Sequence, residues 1–126
     1  MRAFLAFFVA LFGAVCVAIG LAHIVAGPVV IPGSIAVNAT MDSEDRFYAT
    51  LFVGFGVALV WCSRSLATRA WPLGWLLAIF FAGGVSRLVS LWQVGLPHPL
   101  FQVLTVVELV LPVALWLLYR KAFRQS

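Results

Sequence analysis

Two charged residues sit inside long apolar stretches of this chain, Arg87 and Glu108, and they are the residues best placed to do chemistry. A charge at the centre of a bilayer costs at least about 2.5 kcal/mol, so such a group must face the protein interior, water or a partner. Arg87 lies seven residues before the end of one apolar run, and Glu108 lies eight residues after the start of the next. At 1.5 Å per residue both fall roughly 10–12 Å from the turn that joins the runs. Consecutive, antiparallel helices would bring them together, and the spacing predicts an Arg87–Glu108 ion pair.

Other polar residues fall at that depth or just above it. Ser90 is one turn beyond Arg87 and shares its face, and Gln102, Thr105 and Glu108 recur every three residues on one face of the last run. His23 lies near the end of the first run, and Glu44, Arg46 and Tyr48 open the second. These nine residues form a candidate polar pocket in one half of the membrane. A structural reading stands beside it, in which one ion pair and its neighbours fix helix register. In the pocket reading Arg87 would hold an oxygen or an anionic head, with Glu108 or His23 as acid or base.

Other chemistries have no residues to carry them. There is no HExxH, no GxSxG and no phosphate loop. A haem held by His23 and His98 is set aside because His98 stands between Pro97 and Pro99 in a turn. The two cysteines, Cys16 and Cys62, fall at different depths, so no disulfide is expected, and no cysteine spacing suits a metal. No cofactor or metal is expected. The net charge of +4 does not imply nucleic acid, because the charges flank apolar segments and form no basic patch.

The elements that must position these residues are membrane helices. The 126 residues are 64% hydrophobic and 10% charged, where ordinary soluble chains carry about 25% charge. Backbone in lipid must satisfy its own hydrogen bonds, so long apolar runs become helices. Four are expected, over about 3–27, 44–62, 72–94 and 100–119. The first competes with a signal peptide, but it is longer than a signal core and no clear small-x-small cleavage site follows. Pro28, Pro32 and Gly33 break the chain after it. Asp42 or Ser43 could cap the second helix, and the acidic residues there suit its dipole. Asn38-Ala39-Thr40 matches a glycosylation sequon, a short pattern of little specificity. Gly95, Pro97 and Pro99 mark a tight turn. Gly13 and Gly20, Gly54 and Gly56, and Gly83 and Gly84 would let helices approach closely. The fold expected is all-α: one integral membrane domain, an antiparallel four-helix transmembrane bundle.

Six basic residues, Arg2, Arg64, Arg69, Arg120, Lys121 and Arg124, lie on one side of this arrangement, and Arg46 alone lies on the other with three acids. That bias places both termini in the cytoplasm. Trp61, Trp71, Trp75, Trp116 and Tyr119 crowd the same boundary as an aromatic belt, with Tyr48 and Trp92 at the opposite one.

The stretch from Met41 to Tyr48 with Gly54-Phe55-Gly56 after it resembles the start of the second helix in a bacterial four-helix membrane family. Gly83-Gly84-Val85-Ser86-Arg87-Leu88, Gly95-Leu96-Pro97 and Glu108 extend the likeness over nearly the whole chain. The family is known as domain of unknown function 4345, and it is distantly similar to DoxX-type membrane proteins, some of them linked to redox complexes. The resemblance implies a multi-pass protein of the bacterial inner membrane, with Glu44, Arg46, Arg87 and Glu108 as shared polar residues, and implies no reaction. The function expected is non-enzymatic: an accessory subunit of a larger membrane complex or homo-oligomer, or a binder of a small lipophilic molecule. The alternatives are a membrane enzyme or redox-complex subunit acting on a quinone-, sterol- or lipid-like substrate, and a small oligomeric transporter. Beyond the lipid bilayer no partner can be named. The charge bias makes a direct prediction: reporters fused at the C-terminus and in the Ser65–Ala70 connector read as cytoplasmic, and one near Ser34 reads as external. A periplasmic C-terminal reporter would contradict the four-span order.

Overall fold

A computed structural model describes residues 1–124. In it the chain is all-α. Helix α1 spans Arg2–Ala26 and runs into a 3-10 turn over Gly27–Val30. Helix α2 spans Ala39–Ser63, a second 3-10 turn covers Leu66–Thr68, and helices α3 and α4 span Ala70–Val94 and Pro99–Ala122. All four helices are long and apolar enough to cross a membrane, and no strand occurs among the described residues.

Local chemistry sets the helix ends. Helix α2 begins five residues sooner than its acidic run suggests, and neither Asp42 nor Ser43 caps it. Asn38 is the N-cap: its side-chain oxygen accepts the Met41 N–H at 2.9 Å and supplies a partner for an otherwise orphaned donor. Asp42 thus lies one turn inside the helix, where it still meets the positive end of the dipole. Helix α3 stops at Gly95, whose φ of 113° suits glycine and few other residues. Helix α4 starts on Pro99, which needs no N–H partner there, and the His98 ring accepts the Leu100 N–H at 3.1 Å.

The chain divides into two compact units. One is Phe7–Arg64, the α1–α2 hairpin. The other takes the chain from Ser65 onward, the α3–α4 hairpin, together with Met1–Ala6.

In the α1–α2 hairpin the buried positions of α1, Val9, Gly13, Cys16 and Gly20, are spaced four, three and four apart, a seam along one face. Small residues bring the backbones together. A Cβ on Gly13 would stand 2.5 Å from the Gly56 carbonyl oxygen, and a Cβ on Gly56 would stand 2.5 Å from that of Gly13. One heptad further along α1, a Cβ on Gly20 would stand 2.9 Å from the Ala49 carbonyl oxygen. Such seams suit lipid, where close packing has to replace the hydrophobic effect between helices. Cys16 and Cys62 are both buried and are not joined in a disulfide.

The α3–α4 unit packs around Leu73, Leu77 and Gly84 on α3 and Glu108, Pro112, Leu115 and Tyr119 on α4. Glu108 therefore stands at the head of an apolar stripe with helical spacing. At the opposite end the Tyr119 hydroxyl donates to the Leu66 carbonyl at 2.6 Å, and Arg2 donates to the Ala122 carbonyl at 2.9 Å while lying over the Phe123 ring. A cation on the last carbonyls of α4 satisfies acceptors that the helix leaves open and complements its dipole.

The α1–α2 seam can be tested by contrast. Gly13→Leu and Gly56→Leu should each lower the thermal midpoint and the folded yield in mild detergent, by the equivalent of about 1–3 kcal/mol or more, because a backbone oxygen cannot step aside. Gly54→Ala meets nothing within 4 Å, and should be neutral or gain up to about 1 kcal/mol of helix propensity. Equal loss at all three positions would argue against the close approach.

Candidate functional site

Glu108 is the buried charged residue of the α3–α4 hairpin, 8% exposed. Room for it comes from α3. A Cβ on Gly83 would lie 3.6 Å from Glu108 Oε1, and one on Gly84 would lie 3.0 Å from Leu109 and 3.1 Å from Glu108 Cβ. The glycine pair therefore forms a bare patch of backbone against which α4 lays its carboxylate. One turn along α3 stands Arg87, and its Nε–H donates to both carboxylate oxygens, at 2.9 Å each. The predicted ion pair is present.

This pair does not have the two-pronged geometry common to arginine and carboxylate, in which two N–H groups meet two oxygens. A single N–H is shared between both oxygens. The Nη1 and Nη2 groups, four N–H donors in all, have no hydrogen-bond acceptor among the described residues. They are not sealed away either, since among the described residues no buried side-chain nitrogen or oxygen lacks a partner. The guanidinium lies 5.5 Å from the centre of the Phe101 ring, within cation–π range.

Arg87 lines a cavity of about 540 Å³ at the Gly95 end of the hairpin. Ser86, Ser90, Gln102 and Thr105 supply the other polar positions of its wall, and the remainder is apolar: Leu88, Leu91, Leu96, Pro97, Phe101, Val106 and Leu109. Several of the polar groups are already engaged. Ser86 donates to the Ala82 carbonyl at 3.2 Å, Thr105 to Phe101 at 2.7 Å, and the Gln102 amide to Pro97 at 3.0 Å. The donors left over are the Nη groups of Arg87, the Ser90 hydroxyl and the second N–H of the Gln102 amide. Pro112 adds an acceptor nearby. Having no N–H, it cannot close the usual bond to the carbonyl four residues back, which belongs to Glu108.

The α1–α2 hairpin holds a second polar set, at the α1 C-terminus and the start of α2. His23 Nδ1–H donates to the Asp45 carboxylate at 3.0–3.1 Å, both side chains about one-fifth exposed. Arg46 grips Asp42, one turn before it, through Nε at 2.7 Å and Nη2 at 3.4 Å. Its Nη1 donates to the Ile24 carbonyl, one of the acceptors left open by the last turn of α1. Gly27 makes this clasp fit. Its φ is 78°, and a Cβ there would meet Arg46 Nη2 at 2.8 Å and Asp42 Oδ2 at 2.9 Å.

Of the nine residues singled out in the sequence, Arg87, Ser90, Gln102 and Thr105 line the cavity, and Glu108 joins them through its pair with Arg87. His23 and Arg46 belong to the clasp. Glu44 is exposed and takes part in neither set, and Tyr48 is exposed with its ring edge-on to Phe47. Asp42 and Asp45 were read from the sequence only as acids of a helix start. The spacing of four between Asp42 and Arg46 was the available signal for the first of them. Among the described residues no three metal-type ligands lie close enough to hold an ion.

A model of a family described as domain of unknown function (DUF4345) matches residues 4–119, a stretch that contains both polar sets. No curated protein and no solved structure matches the chain.

The pair invites a double-mutant comparison. Arg87→Met or Glu108→Leu alone strands a charge, and each should lower folded protein by the equivalent of about 3–5 kcal/mol. The double variant should regain most of that loss, as read by detergent-resistant folded fraction and melting midpoint. Additive damage would argue against direct coupling.

Proposed function

The chain belongs to the domain of unknown function family DUF4345, whose description assigns no activity, and from its geometry we propose that it binds a small lipophilic molecule in the α3–α4 cavity. Arg87 carries this reading. It is anchored by a buried carboxylate, yet it holds four N–H donors toward a site walled mainly by apolar side chains. Pockets for small lipophiles have this character, an apolar enclosure with a few fixed polar groups that set orientation. With its side chain 38% exposed, Arg87 keeps these donors accessible to an incoming acceptor.

The surroundings support the reading. The bias of basic residues toward one end supports cytoplasmic termini and a cavity in the outer half of the membrane, and the family resemblance supports a bacterial inner membrane. A molecule could then enter sideways from the outer leaflet. Catalysis has less support, because both Glu108 oxygens accept from Arg87 Nε and the other acid–base candidate, His23, is held by Asp45. An accessory subunit that seats a lipophile for a larger complex is compatible with the same site.

Native mass spectrometry after gentle extraction tests the proposal. The unaltered chain should carry a stoichiometric small molecule, and the folded Arg87→Met/Glu108→Leu variant should lose at least tenfold of it. Equal retention by the double variant, or a stoichiometric protein partner with no small molecule, would overturn the binding reading.

A further inference from the structure

The charge balance of the cavity restricts what head group Arg87 can receive. Resting on the binding reading above, we infer that the occupant presents a neutral carbonyl oxygen, and not a carboxylate or phosphate, to the Arg87 Nη groups. Arg87 and Glu108 are the ionised residues of this site, and they cancel. The ring of His98, in the turn at this end of the hairpin, is engaged through Nδ1 as the acceptor of the Leu100 N–H. An anionic head would leave the site with a net negative charge in a low-dielectric surround, beside a carboxylate that is 8% exposed. A carbonyl oxygen accepts from Nη–H without changing that balance.

The hydrogen-bond inventory points the same way. Ser86 and Thr105 have given their hydroxyl protons to their own helix, so they offer lone pairs, which suit an anion poorly. Arg87 is left as the cation of the lining, with the Ser90 hydroxyl and the second Gln102 amide N–H as neutral donors beside it. With the Arg87 charge already met by Glu108 and no second cation in the lining, the site balances a neutral carbonyl oxygen better than the charge of a phosphate. The apolar body of the occupant would lie along Leu91, Leu96 and Val106, with Phe101 beside the guanidinium. Such a carbonyl could belong to a discrete ketone- or ester-bearing lipophile, or to the glycerol ester of a bilayer lipid.

The full chain in nanodiscs of diether lipid, which has no ester carbonyl, separates these cases. Two probes share a sixteen-carbon tail carrying a diazirine; one ends in a methyl ketone and the other in a carboxylate. After photolysis, the ketone should label peptides within residues 86–109 at least tenfold more than the acid, and the Arg87→Met/Glu108→Leu variant should abolish the difference. Labelling by the acid that equals or exceeds the ketone overturns the neutral head and leaves small-molecule binding standing. Labelling by neither probe above the double variant overturns both. In diester nanodiscs, undiminished ketone labelling supports a discrete ligand, whereas a fall of tenfold or more assigns the carbonyl to bilayer lipid and overturns the small-ligand reading alone.

Discussion

Lipid offers no hydrogen bonds, so every charge carried into a membrane-length helix needs its partner supplied by the protein. In the α3–α4 hairpin this requirement falls on Glu108, and much of the local architecture follows from meeting it. Gly83 and Gly84 give the carboxylate a bare stretch of α3 to lie against, and Arg87 stands one turn further on to neutralise it. The carboxylate also occupies a position in the buried stripe that continues through Pro112, Leu115 and Tyr119. A buried pair of this kind adds little net stability over an apolar core, but losing one member is costly. A slip of α3 against α4 would separate the pair, a penalty that interchangeable leucines would not impose.

The two hairpins each place an arginine against a carboxylate, and they finish the arrangement differently. Arg46 is used up. Nε and Nη2 hold Asp42, Nη1 holds the Ile24 carbonyl, and Gly27 closes over the group with a backbone shape that L side chains rarely adopt. Together with the His23–Asp45 contact this ties the end of α1 to the start of α2, where open carbonyls and acidic side chains both need cations. Arg87 is only half used. The same side chain thus makes a closed clasp in one hairpin and an open donor edge in the other. That contrast could not be read from residue type or depth, because both arginines lie about two turns from a helix end with a carboxylate in reach.

Much of the frame was legible in the sequence because its causes are local or one-dimensional. Four spans follow from apolar run length, and the Arg87–Glu108 pair follows from equal depth on consecutive antiparallel helices. The differences have physical sources as well. Helix α2 starts at Ala39 because Asn38 outcompetes Asp42 and Ser43 as a cap, and several adjacent cap-forming residues leave that choice to the surrounding chain. Glu44 and Tyr48 were grouped with the polar residues by depth alone, and depth does not say which way a helix faces. Asp42 and Asp45, two and three positions away on the same helix, take the interactions instead. The unused Nη groups of Arg87 depend on a side-chain rotation that no spacing rule encodes.

Packing along α3 and α4 explains why the half-used arginine sits where it does. Gly84 is the last buried residue of α3 and Glu108 the first of α4, so the close-packed part of the hairpin ends at this pair. Between them, through the Gly95 turn, the chain is exposed or half-exposed, and the cavity occupies this looser end. Arg87 lines the cavity, and Glu108 is joined to it through the Arg87 Nε. A pair needed only for register would serve equally well in the middle of the seam, fully enclosed, with two N–H groups meeting two oxygens. With Nε facing the carboxylate, the guanidinium is oriented by its buried partner and leaves its Nη groups for whatever enters the cavity. On the binding reading, Glu108 acts as the positioning residue and Arg87 as the contact. A donor held in place before its ligand arrives loses less freedom on binding than a mobile one.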